Sequence, residues 1–154
     1  MRIKGNLSNP LSACYGVPQG SHLGPLLFIL FINDIVGKIK FAQFQIYADD
    51  ITIYHRIDSI RDRYLLQQEL QLIYEWSVLN SLQLNCGKCK VLSFCRSHIK
   101  FEFNYALGAN VLEEVNSIRD LGIIFESNFE IKLHLQVITS QAYRLLGFII
   151  RSTK

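Results

Sequence analysis

The sequence has little of what breaks, bridges or anchors a chain. Its 154 residues include three prolines, one methionine and one tryptophan, and no tract is dominated by proline, glycine or serine. That excludes a linker or low-complexity segment, and the lack of any internal repeat excludes a solenoid. Long apolar runs are missing too. The longest, Pro25 to Ile32, is stopped by Asn33 and Asp34, well short of the ~20 residues a bilayer span requires. Met1 to Pro10 is polar and has no apolar core, so no secretory signal is visible. Without an export signal, the four cysteines (Cys14, Cys86, Cys89, Cys95) read as reduced thiols rather than a disulfide framework. The expectation is a soluble, intracellular protein, with nothing that selects nucleus or cytoplasm. Acidic residues are absent before Asp34, and Asp34 is the only one before Asp49.

What is present suffices for one domain-sized core. Hydrophobic residues make up 49% of the chain and charged residues 19%, a balance that excludes disorder. The formal charge of +3 fits a polyanionic partner but also many proteins that have none. Lys88, Lys90, Arg96 and Lys100 follow one another closely, and Arg61 and Arg63 open the preceding helix. Each of these reads first as an ordinary solvated face.

Along the chain, Gly16-Val17-Pro18-Gln19-Gly20-Ser21 is dense in turn-formers and reads as a shaped loop. Leu23 to Ile39 is apolar nearly all round, with Pro25 suited to a first turn and Gly37 to an end, which predicts a buried helix beneath a sheet. Phe44 to Tyr47 and Ile51 to Tyr54 are β-rich runs flanking Ala48-Asp49-Asp50, the composition of a tight hairpin. Asp58 or Ser59 can cap a long helix to about Asn80, with Leu66, Leu70, Ile73 and Ser77 as an inward stripe broadened by Tyr74 and Trp76. Short strands are expected at Val91 to Phe94, Phe101 to Tyr105, Val111 to Val115 and Ile123 to Phe125. A last helix is expected from Glu130 to about Ile150, with Leu133, Val137, Ala142, Leu145 and Leu146 mostly on one side.

The chemistry-bearing feature is the pair Asp49-Asp50. Two-metal phosphoryl transfer needs carboxylates converging on divalent ions about 4 Å apart, and hard cations select oxygen ligands. On a straight strand neighbouring side chains point to opposite faces, whereas at a hairpin tip both can approach one site. Asp-Asp is also simply a good turn. Strands this apolar, however, leave two carboxylates repelling one another with no compensating cation, a role that a metal fills. A different metal reading comes from Cys86-x-x-Cys89 and Cys95-x-x-His98, ligand types that suit tetrahedral zinc, although the run Val91 to Phe94 between them reads as a strand. His22, His55 and His134 have no obvious nucleophile beside them. Ser21 lacks a Gly-x-Ser-x-Gly elbow.

Tyr15-Gly16-Val17-Pro18-Gln19-Gly20-Ser21-His22-Leu23-Gly24-Pro25-Leu26-Leu27-Phe28, followed by Phe31-Ile32-Asn33-Asp34-Ile35 and Tyr47-Ala48-Asp49-Asp50, resembles the reverse transcriptases of non-LTR retrotransposons, and most closely the jockey-like group. The likeness continues through Trp76, Leu82-Gln83-Leu84-Asn85, Lys88-Cys89-Lys90-Val91, Asp120-Leu121-Gly122, Ala142 and Leu146-Gly147-Phe148. It implies an α+β fold, part of a right-hand polymerase without fingers. Residues 1 to 100 would be partial palm, and residues 101 to 154 the connection to the thumb and its first helix. It implies that Asp49 and Asp50 bind catalytic Mg²⁺, with Mn²⁺ as a substitute, and that Lys88 protonates the departing pyrophosphate. Pro18, Gln19 and Gly20 would border the incoming nucleotide and template base; Tyr47, Ala48, Leu121 and Gly122 would lie along the primer. The implied partners are an RNA template, a DNA primer and deoxynucleoside triphosphates, with no membrane.

The family's remaining metal carboxylate lies on an earlier strand, and no acidic residue precedes Gly16. Asp34 falls in the helix after the turn and is no substitute. The expectation is therefore a fragment that polymerises little or not at all alone. A non-catalytic nucleic-acid binder using Lys88, Lys90, Arg96 and Lys100, with Tyr54 or Phe94 for stacking, is the other reading.

Overall fold

The computed structural model describes residues 2–3, 6–7, 16, 20–95 and 103–153. The architecture is α+β: among the described residues are three α-helices, a 3₁₀ helix and several two-stranded ladders, divided into two units, Met1–Arg56 and Ile57–Lys154.

The first unit opens with a small antiparallel pair, β1 (Arg2–Ile3) and β2 (Asn6–Leu7). Helix α1 (Gly24–Ile32) carries Pro25 in its first turn, where a missing N–H costs nothing. After Ile32 the chain tightens into a 3₁₀ helix, Asn33–Lys38. The single helix expected from Leu23 to Ile39 is thus two pieces. Asn and Asp are residue types that favour the ends of helices over their interiors, and 3₁₀ geometry is a common way for an α-helix to end. The expected burial of this segment is also corrected. Ile32, Ile35, Ile39 and Ala42 are buried, but Leu26, Ile29 and Leu30 are 54%, 57% and 65% exposed. An all-round apolar helix needs neighbours on every side. The described remainder of this unit is mainly one hairpin, β3 (Gln43–Tyr47) and β4 (Asp50–Tyr54).

The second unit is organised by α2 (Ile60–Leu79). The Asp62 carboxylate accepts hydrogen bonds from the Ser59 N–H at 2.7 Å, the Ser59 hydroxyl at 2.9 Å and the Asp58 N–H at 3.0 Å, so the first turn is closed by its own side chains. Its end is equally defined. Ser81 takes a left-handed φ of +54°, and the N–H groups of Ser81 and Leu82 donate to the carbonyls of Val78 and Ser77, the Schellman arrangement. The predicted stripe is inward: Ile73, Trp76 and Ser77 are buried, Leu66, Leu70 and Tyr74 half-buried. Glu69, which shares that face by its spacing from Leu66 and Ile73 but whose charge argues for solvent, is buried with them.

Against α2 lies β6 (Ala106–Leu107), paired with β7 (Asn110–Val111). The Gln67 amide grips this strand as another strand would. Its Nε2 donates to the Ala106 carbonyl at 2.9 Å, and its Oε1 accepts from the Ala106 N–H at 2.8 Å. Strand β5 (Lys90–Leu92) pairs in parallel with β8 (Glu113–Val115), and β9 (Ser117–Asp120) forms a hairpin with β10 (Ile123–Glu126). Several strand expectations are corrected here. The run at Val91 to Phe94 leaves its ladder at Leu92, the 103–105 segment belongs to no strand although the Tyr105 carbonyl accepts from the Leu112 N–H at 2.8 Å, and β9 was not anticipated. Positions 101 and 102 lie outside the described residues.

Helix α3 (Lys132–Ser152) docks by its first turns. Leu133 N–H donates to Glu126 Oε2 at 3.2 Å, and Ile124 N–H donates to His134 Nδ1 at 3.4 Å. The expected inward face is a second correction to burial. Val137 is half-buried, but Leu133, Ala142, Leu145 and Leu146 are exposed. None of the described helices is long and apolar enough to cross a membrane.

Candidate functional site

In the β3–β4 hairpin, Tyr47 pairs with Asp50, Ile46 with Ile51 and Phe44 with Ile53. Side-chain alternation sorts the hairpin into two faces. Phe44, Ile46, Ile51 and Ile53 form a half-buried apolar face; Gln43, Gln45, Tyr47, Asp50, Thr52 and Tyr54 form the other. Ala48 and Asp49 are the two-residue connection, with Ala48 at φ +53°. That is a backbone region unfavourable for a residue with a Cβ, at a cost of about 1 kcal/mol or more.

This arrangement places Asp49 in the turn and Asp50 at the start of β4, so the carboxylates share the hairpin tip. Both are exposed. Among the described residues neither has an ion-pair partner, and no group of three or more His, Cys, Asp or Glu gathers anywhere. The donor set is therefore a pair of hard oxygen ligands without a protein cation to balance them, which suits a divalent ion whose shell is completed from elsewhere.

The other candidates are distributed. Pro18 and Gln19 lie outside the described residues, while Gly20 is exposed with φ +81°, a conformation only glycine adopts freely. In the second unit, Lys88 is exposed in a turn closed by its N–H to the Asn85 carbonyl at 3.0 Å. Leu121 and Gly122 are the tip of the β9–β10 hairpin at φ +45° and +89°. Two positive φ values are the mark of a type I′ turn. Leucine is a poor occupant of such a turn, and its side chain is 59% exposed.

Other residues singled out by sequence are used differently. Lys90 is ion-paired with Glu113, directly opposite it across the β5–β8 ladder, so its charge is already engaged. Phe94 stacks on Phe129, ring centroids 4.6 Å apart, rather than standing alone. Arg96, Lys100 and His98 lie outside the described residues. The Glu113 and Phe129 contacts join positions far apart in sequence, and no local signal announces them.

The family model for reverse transcriptase (RNA-dependent DNA polymerase) matches residues 1–150. The chain belongs to the reverse transcriptase family. Among similar reverse transcriptases is the RNA-directed DNA polymerase from mobile element jockey of Drosophila funebris, 28% identical over 131 residues that cover 78% of this chain and 14% of the relative. The probable RNA-directed DNA polymerase from transposon BS of Drosophila melanogaster is 26% identical over 159 residues, covering 94% and 17%. The jockey polymerase of Drosophila melanogaster is 26% identical over 143 residues, covering 88% and 15%. The resemblance to jockey-like elements read from the motifs therefore holds. The chain spans roughly one-seventh of the length of these relatives. No solved structure matches it.

Proposed function

We propose that this chain carries the metal-binding hairpin of an RNA-directed DNA polymerase, which extends a DNA primer on an RNA template by two-metal nucleotidyl transfer. The observation that carries the reading is the hairpin itself: adjacent carboxylates exposed at the tip of an otherwise uncharged two-stranded ladder, within a reverse transcriptase family chain. Residues 1–100 form part of the palm, and residues 101–154 lead into the thumb.

Asp49 and Asp50 would hold the divalent ions, Mg²⁺ with Mn²⁺ as substitute. When bound, such ions activate the primer hydroxyl and steady the leaving pyrophosphate. Lys88, exposed on its turn, offers a positive charge and a transferable proton to that pyrophosphate. Pro18, Gln19 and Gly20 border the nucleotide and template base, with Gly20 admitting close backbone approach. Tyr47 and Ala48, with Leu121 and Gly122, support the primer. Ala48 and Leu121 both hold left-handed backbone at exposed tips, and strain of that kind clusters where a turn is shaped for a ligand.

Mn²⁺ titration followed by water-proton relaxation tests the assignment. The wild-type chain should bind Mn²⁺, and Asp49→Asn or Asp50→Asn should each weaken binding by at least about tenfold, since carboxylate count sets affinity at oxygen sites. Unchanged binding in the double variant overturns it.

A further inference from the structure

Between α2 and β5 the chain makes two overlapping turns. Lys88 N–H donates to the Asn85 carbonyl at 3.0 Å, and Cys89 N–H donates to the Cys86 carbonyl at 3.2 Å. The second closure has a cysteine at each end. A hydrogen-bonded turn of this kind holds its terminal Cα atoms within about 7 Å, and disulfides span Cα separations of about 4.4–6.8 Å. Both thiols are half-buried against backbone carbonyls: Cys89 Sγ lies 3.4 Å from Asn85 O, and Cys86 Sγ 3.8 Å from Leu84 O. Gly87 and Lys88 between them are exposed, so a small reagent reaches the pair from outside the turn. No third metal-type ligand joins them among the described residues. The juxtaposition therefore favours chemistry between the two sulfurs over a metal held by both.

We propose that Cys86 and Cys89 form a reversible dithiol–disulfide site that exchanges with low-molecular-weight disulfides such as glutathione disulfide, and whose closure straps the turn carrying Lys88. Burial, and then the neighbouring charge of Cys86, push the Cys89 thiol up, which disfavours Cys89 as the first nucleophile, and the exchange opens with the Cys86 sulfur as thiolate. That thiolate attacks one sulfur of the reagent, breaking its S–S bond and releasing one thiolate. Cys89 then loses its proton to solvent and attacks the Cys86 sulfur of the mixed disulfide, releasing the second. Two protein thiols are oxidised and one reagent disulfide is reduced to two thiols. A ring this short is strained, and strained disulfides are the labile ones, so the resting pair is the dithiol read from the sequence. What the strap does to catalysis rests on the role proposed for Lys88; the thiol chemistry does not.

The test uses the whole chain, equilibrated across glutathione/glutathione disulfide ratios, alkylated with iodoacetamide, then reduced and labelled with N-ethylmaleimide. Trypsin cuts after Lys88, so a digest made before the reduction step shows an oxidised pair as peptides 64–88 and 89–90 joined, and one made after it shows those two peptides, or an uncut 64–90, carrying only the second label. The expected result is that this species forms in wild type, Cys14→Ser and Cys95→Ser, and is lost in Cys86→Ser and Cys89→Ser. Closure should need a ratio about tenfold less oxidising than in the urea-unfolded chain, because the turn raises the effective concentration of one thiol at the other. Amide exchange at Lys88 and Cys89 should slow on oxidation. Independent alkylation of both cysteines throughout, only mixed glutathione adducts, links through Cys14 or Cys95, no native advantage over urea, or unchanged amide exchange would each overturn it. None of these readouts depends on metal binding or polymerisation.

Discussion

The ring of Tyr74 on α2 covers Gly108 so closely that a Cβ built on the glycine would fall 2.5 Å from Tyr74 Cζ. Gly108 also sits at φ +61° in the turn between β6 and β7. Gly108→Ala is therefore expected to lower stability by about 2–4 kcal/mol, combining overpacking with left-handed strain. Urea denaturation would read it, and in a Tyr74→Leu background the same substitution should cost less. Equal costs in both backgrounds would mean that the ring is not the obstacle.

Gln67 joins α2 to β6 through both ends of its amide. Gln67→Leu keeps the size but leaves the Ala106 N–H and carbonyl without that partner, and a loss of about 1–3 kcal/mol is expected. Hydrogen exchange at the Ala106 amide should quicken selectively. Exchange that stays slow would place the protection elsewhere.

Tyr105 is buried, and its phenol is pushed up chiefly by burial and secondarily by Glu114, with Arg63 opposing. The folded state therefore holds this proton more tightly than the unfolded chain. The contribution is fully present below the unfolded value of about 10 and is lost as pH rises through the folded one. Stability of wild type minus Tyr105→Phe should be flat to about pH 9.5 and fall above it. A difference that rises with alkali would reverse the sign.

Leu121 at φ +45° beside Gly122 should be more comfortable as glycine. Leu121→Gly is expected to raise stability by up to about 1 kcal/mol. In a polymerase containing this segment it should also weaken primer extension at limiting primer, if the strained turn supports the primer as proposed. Higher stability with unchanged primer dependence would leave the strain without that role.

With two carboxylates at the tip and none before Asp34, this chain alone should incorporate little or no nucleotide in a Mg²⁺-containing primer-extension assay. Robust incorporation that disappears in Asp49→Ala would show that the pair suffices.

Local chemistry made the hairpin and α2 legible. β-branched and aromatic residues on both sides of Ala48-Asp49-Asp50 leave few alternatives to a tight turn, and Ser59 with Asp62 marks a helix start. The limits of α3 fell within two residues of expectation at each end. Burial was not legible. Apolar composition states that α1 and α3 tolerate cover, not that cover is present, and Glu69 reads as a surface residue until its helix is packed. Strand β9, Ser117-Ile118-Arg119-Asp120, has a single apolar residue and owes its pairing to the Leu121-Gly122 turn. For the site, the tip position of Asp49 and Asp50 followed from sequence. The engagement of Lys90 did not, because Glu113 lies far along the chain.

The β5–β8 ladder also carries a kinetic consequence. Parallel strands cannot be joined by a tight turn, and Lys90 meets a partner 23 residues away. The β6–β7 hairpin lies inside that loop and the β9–β10 hairpin just beyond it, and both close over short distances. Loop closure must be completed before the parallel contacts repay it. The two hairpins should therefore form early on the way to the native state, and pairing of β5 with β8 should set the pace at which the second unit becomes complete.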